Sequence, residues 1–351
     1  MVRDTLKKYK HLVWPEIQKY LTDPVYPKVF RIPSKYQRDT AFYWKIVKDY
    51  PERQGKYLRP TLLLLAAEAM GEAAKKALKT AAAMQLSEDW LLIHDDIQDH
   101  SFARRGKPAL QIIYGNELAL NAGDTLQIIM WKILIDNQKL LGSEKAIAIA
   151  NEFYRVLKRT ADGQAIEIIW SKNEKVDIYD KDWFFIADGK TAYYTIAAPL
   201  MLGAVIAGAK QGQLDLLADF GLQLGRCFQL IDDILDVTLT YRGAGQKSGG
   251  DIYEGKRTLI LSHLLRNASL KDSKRIAAIL KKPAEEKTET EVKWIIQKMN
   301  DYKSIEYAGG VAKKLKEKSL KIFKEKLGFL SHQPARKNLE EIITFILERE
   351  Y

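Results

Sequence analysis

Cysteine is almost missing from this chain: Cys227 is the single one in 351 residues. No internal disulfide framework can brace the fold, and a reducing compartment suits it, so we expect a cytoplasmic protein. Strand-period alternation is missing too. No segment sustains an apolar/polar repeat of two, which predicts an all-α fold. The opening MVRDTLKKYKHLVWPEIQKYL lacks the continuous apolar core of a signal peptide. No aromatic-basic repeat, zinc-ligand spacing or recognition-helix pattern is found, so we expect no nucleic-acid partner. No shift of composition marks a linker, so residues 1–351 are expected to form one domain. Its N-terminal helices would cover 1–50, a motif-bearing core 54–259 and C-terminal helices 260–351.

The chain is 46% hydrophobic, with a formal charge of +11. That excess suits phosphorylated substrates, and it leaves peripheral contact with an anionic membrane open. One uncharged stretch, 191–209, is just long enough to span a bilayer. Pro199, Gly203, Gly208 and two tyrosines interrupt it. A buried central helix, part of a longer one over 182–209, is the better reading.

The main concentration of chemistry lies in WLLIHDDIQD, residues 90–99. Asp95 and Asp99 are four apart and share one helical face, with Asp96 beside them. Two like charges about 4 Å apart repel by roughly 4 kcal/mol at a near-surface dielectric. A positive partner is therefore required, and an oxygen-only ligand set suits a hard cation such as Mg²⁺. A lone cluster of this kind is usually a solvated acidic face. Here FQLIDDILD repeats the spacing at Asp232, Asp233 and Asp236, 137 positions on. Buried charge persists only if paired or metal-bound. Two such clusters facing each other would gather several divalent ions around one anionic ligand.

Cations flank both clusters. QGKYLRP, 54–60, sets Lys56 and Arg59 at a predicted helix start, a natural phosphate site. HSFARRGKPAL places Arg104 and Arg105 just past Asp99, and the guanidinium fork suits diphosphate. YRGAGQKSGGDIYEGKRTL, 241–259, carries five glycines with Lys247, Lys256 and Arg257. Such loops commonly close over phosphates.

GKYLRP, LIHDDIQD, RRGKP, the GQ of 163–164, the KT of 190–191, FQLIDDILD and KSGGDIYEGKRTL occur in one order. With them the chain resembles the trans-type isoprenyl diphosphate synthases, or polyprenyl synthetases, and is closest to short-chain archaeal geranylgeranyl diphosphate synthases. The resemblance implies a single-domain helical bundle of the isoprenoid synthase type around a deep central cavity, as a homodimer. It implies Mg²⁺-dependent condensation of isopentenyl diphosphate with allylic diphosphates. By the same resemblance Asp95, Asp99 and Asp232 ligate metal, supported by Asp96, Asp233 and Asp236. Arg104, Lys190 and Lys256 hold the allylic diphosphate, Lys247 joins them from the loop, and Lys56, Arg59 and Arg105 hold isopentenyl diphosphate. Thr191 and Gln229 belong to the same binding region.

Several positions depart from the family. Glu88 stands where a histidine usually helps bind isopentenyl diphosphate, with Asp89 beside it. Gln54 and Tyr57 replace a more common glycine and arginine, and Gly309 a common arginine. Trp90 lies five residues before Asp95, about 7.5 Å down a helix. An aromatic there is associated in archaeal relatives with a C20 product, so Trp90 and Leu91 are the chain-length candidates. Farnesyl (C15) or longer products remain alternatives within the class, and a non-catalytic regulatory subunit outside it.

Overall fold

The computed structural model describes residues 2–173, 175, 177–238 and 248–348. Lys247 lies outside the described residues. The expected all-α architecture is found, with one addition, a two-stranded hairpin pairing Ala103–Arg104 with Lys107–Pro108. The chain divides into two compact units. One is Met1–Asn151 with Leu202–Ala209 and Ser331–Leu339; the other is Glu152–Met201, Lys210–Leu330 and Glu340–Tyr351.

The first unit is built around the Ala74–Gln98 helix, which packs on Asn116–Asp136, Leu58–Ala69 and Val2–Gln18. Its middle, Ala81 to Ser87, is wholly buried, and the small Ala81, Ala82 and Ala83 let neighbours approach. Gly123 makes room for the His94 ring: a Cβ there would stand 2.5 Å from His94 Nε2. Leu58–Ala69 is buried along nearly its whole length, as its leucine run dictates. The preceding Gln37–Arg53 helix runs past Pro51 rather than stopping at Tyr50. A proline in a last turn forfeits one hydrogen bond, and the helix ends where Gln54 takes a φ of 49°.

The second unit centres on Gln211–Thr238, packed on Ser304–Lys326 and on the segment carrying Lys190. That segment was expected inside one α-helix. Instead Asp180–Ala187 is α, Asp188–Ala197 is a π-helix, and α geometry resumes at Ala198–Ile206. Pro199 offers no amide to the carbonyl four residues back, and the wider turn lies just before it. Most of 191–209 is buried, as expected. Gly221 and Gly225 set the contact. A Cβ would lie 2.4 Å from Ala197 Cα at the first and 2.4 Å from Ala192 Cα at the second.

In an ordinary helix Gly→Ala gains up to about 1 kcal/mol. At Gly225 overpacking, typically about 1–3 kcal/mol, opposes that gain. Gly225→Ala is expected to lower the urea midpoint, and an unchanged or raised midpoint would refute the close contact.

Candidate active site

The first site assembles within the first unit from three pieces of chain. In QGKYLRP, Gln54 and Tyr57 have φ of 49° and 58°. Both lie at positive φ, a region that favours glycine. These turns deliver Arg59 into the first turn of Leu58–Ala69 and bury Tyr57 completely, while Lys56 is exposed.

The RRGKP segment forms the hairpin. Arg105 and Gly106 are its two loop residues, with φ of 52° and 76°, the mirror-image turn that suits tightly paired strands. The turn swings its arginines to opposite ends of one acidic helix face. Arg104 makes a forked contact with Asp96 through Nε, at 2.9 Å to Oδ1, and Nη2. Arg105 Nη1 lies 2.8 Å from Asp89 Oδ1 and donates to the Tyr50 carbonyl at 2.8 Å. Gly55 lies close beside it: a Cβ there would stand 2.9 Å from Arg105 Nη2, at the far end of that side chain.

The three aspartates of the first motif therefore have different surroundings. Asp96 is wholly buried, bound by Arg104 and by the Tyr50 hydroxyl. Burial and the neighbouring carboxylate hold the Tyr50 hydroxyl protonated far above its ordinary range. Asp95 and Asp99 keep partial exposure on the other face, with Arg104 Nη2 3.9 Å from Asp95. Glu88 is ion-paired with Arg59 at 3.1 Å and lies 3.7 Å from Arg105 Nη2. Asp89 is buried, which pushes its carboxyl up to about 6; Arg105 opposes that rise and Glu88 adds to it.

The second site lies within the second unit. Asp233 is buried, accepting from Gln229 Nε2 at 2.7 Å and Trp183 Nε1 at 3.3 Å. Burial, with Asp251 and Asp232 adding repulsion, pushes it well above the carboxylate range. Asp236 is also buried and accepts the Asp251 amide at 3.1 Å, while Asp232 stays partly exposed. The Thr191 hydroxyl donates to Gln229 Oε1 at 2.7 Å, extending the Asp233 network. Lys190 pairs with Glu167 at 2.6 Å, and a Cβ on Gly163 would lie 2.8 Å from the Lys190 amide, so the GQ pair gives close access to KT. Lys256 pairs with Glu254 and lies 3.5 Å from Asp251. Tyr50, Trp183 and Glu167 were not foreseen. Each is an ordinary core or surface type whose partner is distant in sequence.

Within each unit the donors fit a hard divalent cation: oxygen ligands alone, with Asp95 and Asp99 partly exposed in the first unit and Asp232 in the second. Among the described residues, no three His, Cys, Asp or Glu side chains gather as a complete metal site. Magnesium sites typically use one or two carboxylates and complete the shell with substrate phosphates and water.

A family profile described as polyprenyl synthetase matches residues 41–299. A short chain isoprenyl diphosphate synthase of Methanothermobacter thermautotrophicus is 32% identical over 350 residues, covering 100% of this chain and 99% of that one. A geranylfarnesyl diphosphate synthase of Natronomonas pharaonis is 29% identical over 313 residues, covering 85% and 87%. The crystal structure of geranylgeranyl pyrophosphate synthetase from Pyrococcus horikoshii superposes with a TM-score of 0.84 at 27% identity, covering 99% of this chain and 98% of that one.

Removing one partner of a buried ion pair typically costs about 3–5 kcal/mol. Arg104→Ala leaves Asp96 with Tyr50 alone. We expect a loss near the lower end, roughly 3 kcal/mol, by denaturant unfolding at pH 8. A loss below about 1 kcal/mol, the range of a solvated surface pair, would contradict a buried pair.

Proposed function

The chain belongs to the polyprenyl synthetase family, and we propose that it condenses isopentenyl diphosphate head-to-tail with allylic diphosphates to give geranylgeranyl diphosphate for isoprenoid lipid synthesis. The observation carrying this reading is the shared division of labour in the two aspartate motifs. The first ties Asp96 inward and leaves Asp95 and Asp99 partly exposed, the second ties Asp233 and Asp236 inward and leaves Asp232 partly exposed, and the family match spans both.

In this reading Asp95, Asp99 and Asp232 would hold magnesium, which when bound would stabilise the negative charge of the departing diphosphate. Arg104, Lys190 and Lys256 clamp the allylic diphosphate, and Lys247 is assigned to the same clamp by resemblance alone. Lys56, Arg59 and Arg105 hold isopentenyl diphosphate so that its double bond reaches the allylic carbon as the C–O bond breaks. Thr191 and Gln229 fix the Asp233 side of the site. The new bond forms and a proton is lost from the isopentenyl unit to the diphosphate, leaving the chain five carbons longer.

Trp90 bears on product length. It is 8% exposed, one turn and a half before Asp95, with its ring edge-on to His94 at 5.5 Å between centroids. Leu91 beside it is partly exposed. A tail growing along this helix from Asp95 meets the indole. The Natronomonas relative, named for a C25 product, favours a longer chain as the second reading. A cytoplasmic setting fits the buried free thiol of Cys227 and is checked by cell fractionation.

A homodimer accounts for the outer face of Asn116–Asp136. Leu120, Ile128 and Ile135 recur along it at intervals of eight and seven, all exposed, with Ile128 at 68%. An apolar stripe of this kind marks an interaction surface.

Purified protein with Mg²⁺, labelled isopentenyl diphosphate and each allylic primer is expected to yield a C20 product; no product would favour the regulatory-subunit reading. Trp90→Ala is expected to shift the product to C25 or longer, and an unchanged length would remove Trp90 from that role. Ile128→Glu is expected to turn the dimer into a folded monomer by light scattering; an unchanged mass would move the interface elsewhere.

A further inference from the structure

The cradle assigned to isopentenyl diphosphate already contains anions. Resting on the function proposed above, its cations are Lys56, Arg59 and Arg105, and Glu88 and Asp89 stand among them. Arg59 Nη1 lies 3.1 Å from Glu88 Oε2, Arg105 Nη2 3.7 Å from Glu88 Oε1, and Arg105 Nη1 2.8 Å from Asp89 Oδ1. The two arginines meant for diphosphate are thus occupied by the protein's own carboxylates. Two buried donors in the same place are unmet: the Tyr57 hydroxyl and Arg105 Nη2 have no hydrogen-bond acceptor among the described residues. Donors left so in a buried cradle suit an anion that supplies acceptors.

We propose that Glu88 and Asp89 serve as the cradle's internal counter-anion, holding Arg59 and Arg105 in place in the free protein and yielding to diphosphate with uptake of a proton by Asp89. Asp89 is faced from three elements. The Ala74–Gln98 helix supplies Gln85, donating at 3.2 Å, and Glu88, itself paired with Arg59; the hairpin supplies Arg105; the residue before Leu58–Ala69 supplies Tyr57. Burial already lifts the Asp89 carboxyl to about 6. A diphosphate drawn to Arg105 adds negative charge beside it and raises it further. The proton comes from solvent and lands on the Asp89 carboxylate. Arg105 keeps its charge and exchanges carboxylate oxygen for phosphate oxygen. The site thereby discriminates by charge: a weaker anion displaces the carboxylates less readily, and acidification favours the diphosphate.

The test is calorimetric titration of the full-length protein with isopentenyl diphosphate in EDTA, without allylic primer, in buffers of different ionisation heat. The wild type is expected to take up at least about half a proton more at pH 7 than Asp89→Asn. That variant should bind about tenfold tighter at pH 8, the equivalent of one pKa unit. Glu88→Gln, at a side chain 16% exposed, is the second variant should Asp89→Asn fail to fold. It should tighten binding several-fold and flatten its pH dependence. Equal proton uptake, weaker binding in a folded variant, or no binding in EDTA would overturn the proposal. A merely structural role for these carboxylates leaves proton uptake unchanged. Turnover separates the two readings: proton-linked binding without product sinks the assigned reaction, and product without that linkage sinks only the counter-anion.

Discussion

The first unit depends on neutralising carboxylates inside the Ala74–Gln98 helix. Asp89 and Asp96 are both buried there, seven residues apart, and neither has a cation on its own helix. One hairpin supplies both. Arg104 and Arg105 are adjacent, yet the hairpin parts them, one to Asp96 and the other to Asp89. The hairpin's place in an otherwise helical protein follows from this. A helix would carry adjacent side chains about 100° apart, whereas successive strand and turn residues point to opposite sides. Left-handed backbone at Arg105 is uncommon for a side-chain-bearing residue, and its ion pair with Asp89 offsets that cost.

The second unit meets the same demand differently. Asp233 and Asp236 are buried, and Gln229, Trp183 and a backbone amide donate to them. Neutral donors compensate a buried carboxylate less fully than a guanidinium does, consistent with the upward displacement of Asp233. The close helix contacts at Gly221 and Gly225 are part of this arrangement, because they bring the π-helix bearing Thr191 within reach of Gln229. The glycines, the π-helix and the hydrogen-bonded aspartate form one mechanical chain from packing to site.

Much of the helical plan was legible beforehand. The Ala74–Gln98 and Gln211–Thr238 helices, their acidic ends and the all-α class follow from apolar content and 3.6-residue spacing. Helix ends near prolines were less legible. Pro51 sits inside its helix, and the 182–209 stretch divides into α, π and α segments. Those outcomes depend on which backbone groups find partners, which single-residue propensities do not state.

The sequence by itself determined which residue types stand at which spacing: paired aspartate motifs, the cationic segments and the family resemblance they carry. A chain of covalently ordered residues fixes periodicity, and periodicity fixes which side chains share a helix face. Tertiary structure alone decided what each charge faces. It turned Asp96 inward to Arg104 and Tyr50, gave Glu88 to Arg59, and joined Thr191 to Asp233 through Gln229. Apart from Gln229 and Asp233 on one helix, these partners lie on elements whose relative placement only packing sets. A carboxylate's chemistry depends on the dielectric and donors around it, and those are properties of the folded chain.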